Sequence, residues 1–225
     1  MKLSVILSVY NDVTNIEKSI KSVLNQSFKD FELLIIDDGS RDGTTEVISK
    51  LAELDNRICL YYNKENLGLT KSLNILIAKS QGEYIARHDS DDISLPQRFA
   101  EQLNYLSKHR VDGITSRAFI EKNNKIIPGF KFYIPNKLLL KYKNPHIHGT
   151  LMIKKSVLNE IGNYNEKFYY AQDYKLFIDL YNSKYKIRQL RKPLYVLNTF
   201  ENISRKFSEE QKYFADCARK NIIPK

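Results

Sequence analysis

The chain has 225 residues, 42% hydrophobic and 28% charged, with two cysteines and no tryptophan. That is enough for one large α/β domain or two small ones, and it is too apolar for disorder to be the default. The net charge of +10 is uneven: residues 1–112 hold 14 basic and 17 acidic side chains, a net of −3, while residues 113–225 hold 22 and 9, a net of +13.

No apolar run reaches about 18 residues, so no transmembrane helix is expected. The opening MKLSVILSVYND has too short an apolar stretch, and no small-residue cleavage site, for a signal peptide. Cys59 and Cys217 are far apart. Cys59 lies in an apolar strand pattern and is expected to be buried and inert, which suits a reducing cytoplasm without a disulfide framework.

Residues 3–9, LSVILSV, have the pattern of a buried parallel strand. Asn11 or Asp12 is the expected cap of a helix in which Val13, Ile16, Ile20, Val23 and Leu24 recur at helical spacing. Residues 31–36, FELLII, read as a second strand that ends in Asp37 and Asp38. Thr44 or Thr45 opens a helix to about residue 54, residues 58–62 form a third strand, and residues 69–79 a third helix. Residues 83–88 read as a strand that runs into Asp89, Asp91 and Asp92, with Ser94, Leu95 and Pro96 as the cap and first turn of the next helix. Strand and helix alternate four times in about ninety residues, which argues for parallel βαβ units.

Beyond residue 106 the rhythm changes. Residues 113–121 and 125–132 suggest a hairpin about Asn123 and Asn124. Helices are expected at 138–142, 156–161 (stopped by Gly162), 174–181 and 207–220, and strands at 150–153, 187–190 and 194–199.

Neither G-x-G-x-x-G nor G-x-x-x-x-G-K-[ST] is present. Two strands instead end in carboxylates: Asp37 with Asp38, and Asp89 with Asp91 and Asp92. The C-terminal ends of strands are where open α/β sheets bind ligands. Three neighbouring anions are tolerable if a hard cation such as Mg²⁺ or Mn²⁺ shares them, and such a cation can neutralise a nucleotide diphosphate without a glycine cradle. A solvated acidic turn and a phosphoacceptor site are alternatives the residues leave open. Asp173 by itself reads as a helix N-cap. His146 and His148 form a His-x-His pair, but the carboxylates suit a harder cation and no third histidine or cysteine lies nearby.

Five segments in order carry a resemblance: SVILSVYND; SIKSVLNQSFKDFELLIIDDGSRDGT; NKENLGLTKSLN; GEYIARHDSDDISLPQR; and HGTLMIKKSVLNEIGNYNE followed by AQDYKLF. Over roughly residues 1–200 the chain resembles an inverting glycosyltransferase of family 2 with the GT-A fold. That resemblance implies an α/β fold in which a mostly parallel nucleotide-binding sheet, flanked by helices, is fused to a smaller mixed acceptor-side region. It implies one domain over residues 1–200, with a nucleotide-sugar-binding half (1–112) and an acceptor-binding half (113–200). Residues 201–225 are then a basic helical tail.

The resemblance also implies roles. Ser8, Tyr10 and Asn11 lie under the uracil and ribose, and Asp38 accepts from the uracil N3–H. Thr70 and Lys71 fall where a base or phosphate contact is made. Asp89 is the ribose-side carboxylate and Asp91 the ligand of Mn²⁺ or Mg²⁺, with Asp89 and Asp92 as further candidate ligands. Asp173 is the general base, preceded by Gln172 where many relatives have glutamate. His148 and Tyr170 fall on the diphosphate or acceptor side, Tyr164 and Asn165 fall at the family's G-x-Y motif, and Tyr169 with Tyr170 precedes the base, where an aromatic face can stack on a sugar ring.

The implied reaction moves a hexose or N-acetylhexosamine from a UDP-sugar to a glycan or lipid-linked acceptor in bacterial surface-polysaccharide assembly. The implied setting is the cytoplasm, with the basic half against an anionic membrane. Three other readings compete. A nucleotidyltransferase would want a basic, glycine-rich loop near residues 8–14, and none is there. A binding module without activity would not need Asp91 and Asp173 together. A nucleic-acid binder has only charge in its favour, and no nucleic-acid partner is expected.

Overall fold

The computed structural model describes residues 1–199 and 207–224. The boundary expected at residue 200, and the first six residues of the expected tail, lie outside the described residues. The first half is a run of βαβ units: β1 (Leu3–Val9), α1 (Ile16–Leu24), β2 (Phe31–Asp37), α2 (Thr44–Leu54), β3 (Ile58–Tyr62), α3 (Leu69–Lys79) and β4 (Tyr84–Arg87). A short β5 (Ile93–Ser94) and α4 (Arg98–His109) follow. The second half holds β6 (Gly113–Ile120), β7 (Ile126–Ile127), α5 (Asn136–Leu139), β8 (Met152–Lys154), α6 (Lys155–Glu160), α7 (Gln172–Asn182), β9 (Ile187–Leu197) and α8 (Ser208–Lys220).

The strands join one sheet in the order β3-β2-β1-β4-β8-β6-β9-β5, with β7 on β6. β1, β2, β3 and β4 are parallel, whereas β8 runs antiparallel to both β4 and β6. Side chains alternate across β1. Leu3, Val5, Leu7 and Val9 join the core cluster under α1 and α2, while Ile6 joins the one under α3 and α7. Both faces are therefore buried, which is why β1 reads as a continuous apolar run. From β1 the chain goes outward to β2 and β3, then crosses to β4 on the other side. The ends of β1 and β4 thus flank a topological switch point, where a crevice opens.

Several expected boundaries move. Asn11 and Asp12 do not cap α1, whose N-cap is Asn15. Asn11 Oδ1 accepts instead from Arg41 N at 2.8 Å, and Asp12 Oδ1 from Asn15 Nδ2 at 2.7 Å. α4 begins at Arg98, not at Ser94. Ser94 Oγ accepts from Arg98 Nη1 at 2.8 Å and so is not free to cap, and residues 93–94 pair with β9. The strand expected over 125–132 shrinks to Ile126–Ile127, followed by a 3₁₀ turn, Phe130–Tyr133. The two strands expected over 187–199 are one, β9, with a register shift opposite Pro193 that accommodates the missing N–H. Asp173 lies inside the first turn of α7, whose N-cap is Ala171 at φ 51°. Cys59 is half-buried rather than buried, while Cys217 is buried. Among the described residues no helix is long and apolar enough to cross a membrane.

Candidate active site

The site is assembled from the ends of β1, β2 and β4, the 3₁₀ turn His148–Thr150, and the start of α7. Ser8 is 9% exposed in β1, and Tyr10 just beyond it is 48% exposed, so Tyr10 is not a core residue. Asn11 follows in the left-handed region, φ 50°, and its N–H donates to Ser40 Oγ at 2.9 Å.

Asp38 is buried and already engaged. Its Oδ1 accepts from Asn63 Nδ2 at 2.7 Å and Leu67 N at 2.9 Å, and its Oδ2 accepts from Gly68 N at 2.9 Å. It thereby holds the loop between β3 and α3, and one lone pair on Oδ2 remains for a ligand. Thr70 is turned away, its hydroxyl donating to Phe168 O at 3.0 Å in the interior. Lys71 is exposed on the next position.

The end of β4 carries the charges. Arg87 is 2% exposed and donates from Nη2 to Asp89 Oδ1 at 2.5 Å, while its Nε and Nη1 have no partner among the described residues. Asp89 keeps its other oxygen beside Gly149, where a Cβ would lie 2.5 Å from Asp89 Oδ2 and 2.5 Å from Tyr195 Oη. Only glycine leaves that space open. Asp92 is 3% exposed and turned inward, with Oδ1 accepting from Asn198 N at 2.8 Å. Tyr195 Oη accepts from Asp89 N at 3.0 Å. Beneath this, the buried Arg98 donates to Arg87 O at 2.7 Å and to Gln102 Oε1 at 3.1 Å, which ties the end of β4 to α4.

Burial, then Asp89 and Asp12, pushes the Asp91 carboxyl up to about 6. Burial, then Asp89 and Asp91, raises Asp92 well above the carboxylate range. No lysine or arginine forms an ion pair with Asp91 among the described residues. Among those residues no three histidine, cysteine or acidic side chains converge closely enough to hold a metal together. Two of the expected ligands still fit a hard cation: Asp91, and Asp89 through its free oxygen. One or two carboxylates suffice for Mg²⁺ when substrate phosphates and water complete the shell. Asp92 fits less well, because it is 3% exposed, its Oδ1 accepts from Asn198 N, and burial with Asp89 and Asp91 disfavours its ionised form.

The raised Asp91 has a consequence for stability. The native state binds this proton up to about pH 6, the unfolded chain only near the usual 3.8. Native stability from this group is therefore lost as pH rises through that window. In chelator at pH 7, Asp91→Asn should unfold a few °C above the wild type, and the gap should narrow to about half by pH 5. Thermal unfolding at both pH values checks this; a pH-independent gap would contradict it.

At the opposite wall, Asp173 Oδ2 accepts from Asn144 Nδ2 at 2.7 Å and Oδ1 from Tyr174 N at 2.7 Å. His148 Nε2 lies 2.7 Å from the buried Tyr164 Oη, and the imidazole lies in the field of both Asp173 and Asp89. Burial, then Arg87, lowers the His148 imidazole, so it is neutral near pH 7. Tyr169 is exposed and lies over Gly68, while Tyr170 packs against Phe207 and Phe214. Asn165 is half-buried and holds a turn, its Oδ1 accepting from Lys167 N at 3.0 Å. His146 is buried, stacks on Phe177 and accepts no metal-like arrangement; burial lowers it to about 3.

Sequence reading missed Arg87, Arg98, Asn144, Gly149 and Tyr195. A basic residue two positions before Asp89 was a visible signal for Arg87. Asn144 and Tyr195 carry no local pattern.

The family model for Glycosyl transferase family 2 matches residues 4–162. EpsE of Bacillus subtilis (strain 168) is 33% identical over 203 residues, which is 86% of this chain and 72% of that protein. The O-antigen biosynthesis glycosyltransferase WbnJ of Escherichia coli is 35% identical over 192 residues, 83% of this chain and 74% of that protein. Among solved structures, S. aureus TarS 1-349 in complex with UDP-GlcNAc superposes with a TM-score of 0.76 at 22% identity, covering 92% of this chain and 61% of that one. At that identity the likeness shows the fold.

Proposed function

The chain belongs to glycosyl transferase family 2, and from that premise we propose an inverting transfer of a hexose or N-acetylhexosamine from a UDP-sugar to a hydroxyl of a bacterial surface glycan or lipid-linked oligosaccharide. The observation that carries this reading is the pairing of two unlike walls. Asp91 and Asp89 end β4, Asp173 opens α7, and His148 lies in the field of both sides. The names of WbnJ and of the TarS complex with UDP-GlcNAc favour a glycan product and a UDP donor.

In this reading Asp173 takes the proton of the acceptor hydroxyl as its oxygen bonds to the anomeric carbon. The bond from that carbon to the diphosphate breaks in the same step, and UDP leaves with the electron pair. Inversion follows from the single displacement. Asn144 fixes the orientation of Asp173 through Oδ2. Tyr10 and the remaining lone pair of Asp38 face the nucleoside, with Ser8 and Asn11 beside them, and Lys71 is available to the diphosphate. Tyr170 borders the acceptor side. Asp91, helped by the free oxygen of Asp89, would hold a divalent cation, Mn²⁺ or Mg²⁺. When bound, that ion supplies positive charge to the leaving diphosphate. The neutral His148 can donate or accept one hydrogen bond at the same place.

Calorimetric titration of UDP with and without Mn²⁺, repeated on Asp91→Ala, tests the donor side. The expected result is UDP binding that needs Mn²⁺ and falls at least tenfold in Asp91→Ala. Equal binding in both proteins, or none in either, would remove the UDP and metal assignments.

A further inference from the structure

Between Lys122 and Asn159 the chain carries eight lysines and no aspartate or glutamate. The same stretch exposes large apolar side chains: Phe130 at 84%, Tyr142 at 70%, Tyr133 at 60% and Leu138 at 49%. Exposed apolar residues scattered singly need no explanation. Here four fall within residues 130–142, interleaved with the exposed Lys131, Lys137 and Lys141. A surface made only for water mixes charges of both signs, whereas this stretch contributes only basic ones, the nearby Asp216 being paired with Arg219. Lys131 lies close enough to Lys143 to lower it. The Arg191 guanidinium adds a further cation, 6.0 Å from the Tyr133 ring centre.

The stretch is firmly mounted. Tyr174 Oη, on α7, donates to Leu140 O at 2.5 Å, and Arg219 Nη1, on α8, donates to Tyr142 O at 2.6 Å. The aromatic and lysine tips are therefore presented by a braced segment rather than by a free loop.

We propose that residues 129–143 dock this protein on an anionic lipid bilayer, with Phe130, Tyr133 and Tyr142 at headgroup level and the lysines on the anionic lipids. Aromatic rings settle at the boundary between headgroups and acyl chains. Lysines near a negatively charged leaflet add attraction that salt screens. Neither contribution alone holds a protein of this size well, whereas an apolar tip and a polybasic patch together do. The stretch runs directly into Asn144, which holds Asp173, so docking would set the mount of the proposed base beside the lipid surface.

The absence of tryptophan makes the test clean. Phe130→Trp installs a single indole on the proposed tip. Leu54→Trp installs one at an 83% exposed site at the end of α2, which packs on β3 at the other end of the sheet. Each full-length variant is titrated with phosphatidylcholine vesicles with and without phosphatidylglycerol. The expected result is a blue shift for Phe130→Trp on phosphatidylglycerol vesicles only, reversed by salt, and none for Leu54→Trp. Adding Lys131→Gln, Lys137→Gln and Lys141→Gln should weaken partitioning about fivefold per lysine, roughly a hundredfold in all. No shift at either site, or an equal shift at both, would overturn the proposal. So would a shift with soluble heparin and none with vesicles, which would assign the patch to a polymer. The readout is binding and not turnover, so failure here leaves the transferase reading standing, and failure of the UDP titration leaves the docking reading standing.

Discussion

Asp173→Asn should lower kcat by about 10²- to 10⁴-fold while UDP affinity stays within about twofold. The substitution keeps the shape of the side chain and its place in the first turn of α7, and it removes only the basic oxygen. Asn144→Ala should cost less, because it frees the rotamer of Asp173 without removing the carboxylate. The measurement is turnover with the donor that a panel of UDP-sugars identifies, alongside UDP calorimetry. A kcat within threefold of the wild type would show that another group takes the acceptor proton, and the role of Asp173 would be withdrawn.

Asp89→Ala should be the most destabilising of the site substitutions. The Arg87 side chain is 2% exposed and, among the described residues, donates only to Asp89, with Nε and Nη1 unpartnered there. Removing the carboxylate strands a buried cation, which costs about 3–5 kcal/mol. For a chain of this size that lowers Tm by roughly 10 °C. Arg87→Met in the same background should recover most of the loss, since a well-filled apolar site does not need the pair. Thermal unfolding of wild type, single and double variants settles it. A fall of under about 3 °C in Asp89→Ala, or no recovery in the double variant, would mean that the Arg87–Asp89 pair does not hold the end of β4. The same pair explains why the carboxylates of this turn differ in role. Asp89 is paired with Arg87, Asp92 is buried and accepts from Asn198 N, and Asp91 is half-buried and joins no ion pair among the described residues.

The elements of the first hundred residues were legible because their signals are local. β1, β3, α2 and α3 keep the expected bounds, since apolar periodicity and the flanking glycines act within each segment. Expectation failed where a side chain with local capping chemistry had a more distant claim on it. Asn11 is taken by Arg41, and Ser94 by Arg98 and the β9 pairing. In the second half the strands pair out of sequence order, and the two longest, β6 and β9, are joined with register shifts, so the periodicity of any one segment says little.

What the sequence by itself determined is the βαβ order and the position of each carboxylate at a strand or helix end. Both follow from residue spacing along one chain. The tertiary structure decided which of those carboxylates are available. Asp38 is nearly saturated by the loop after β3, Asp92 is buried and held by Asn198 N at 106 residues' separation, and Asp173 is oriented by Asn144 at 29. It also decided that Phe130, Lys131, Tyr133, Lys137, Lys141 and Tyr142 are exposed on a segment that α7 and α8 brace. The physical reason is common to both. Hydrogen bonds and burial act across space, between groups whose separation along the chain carries no period to read.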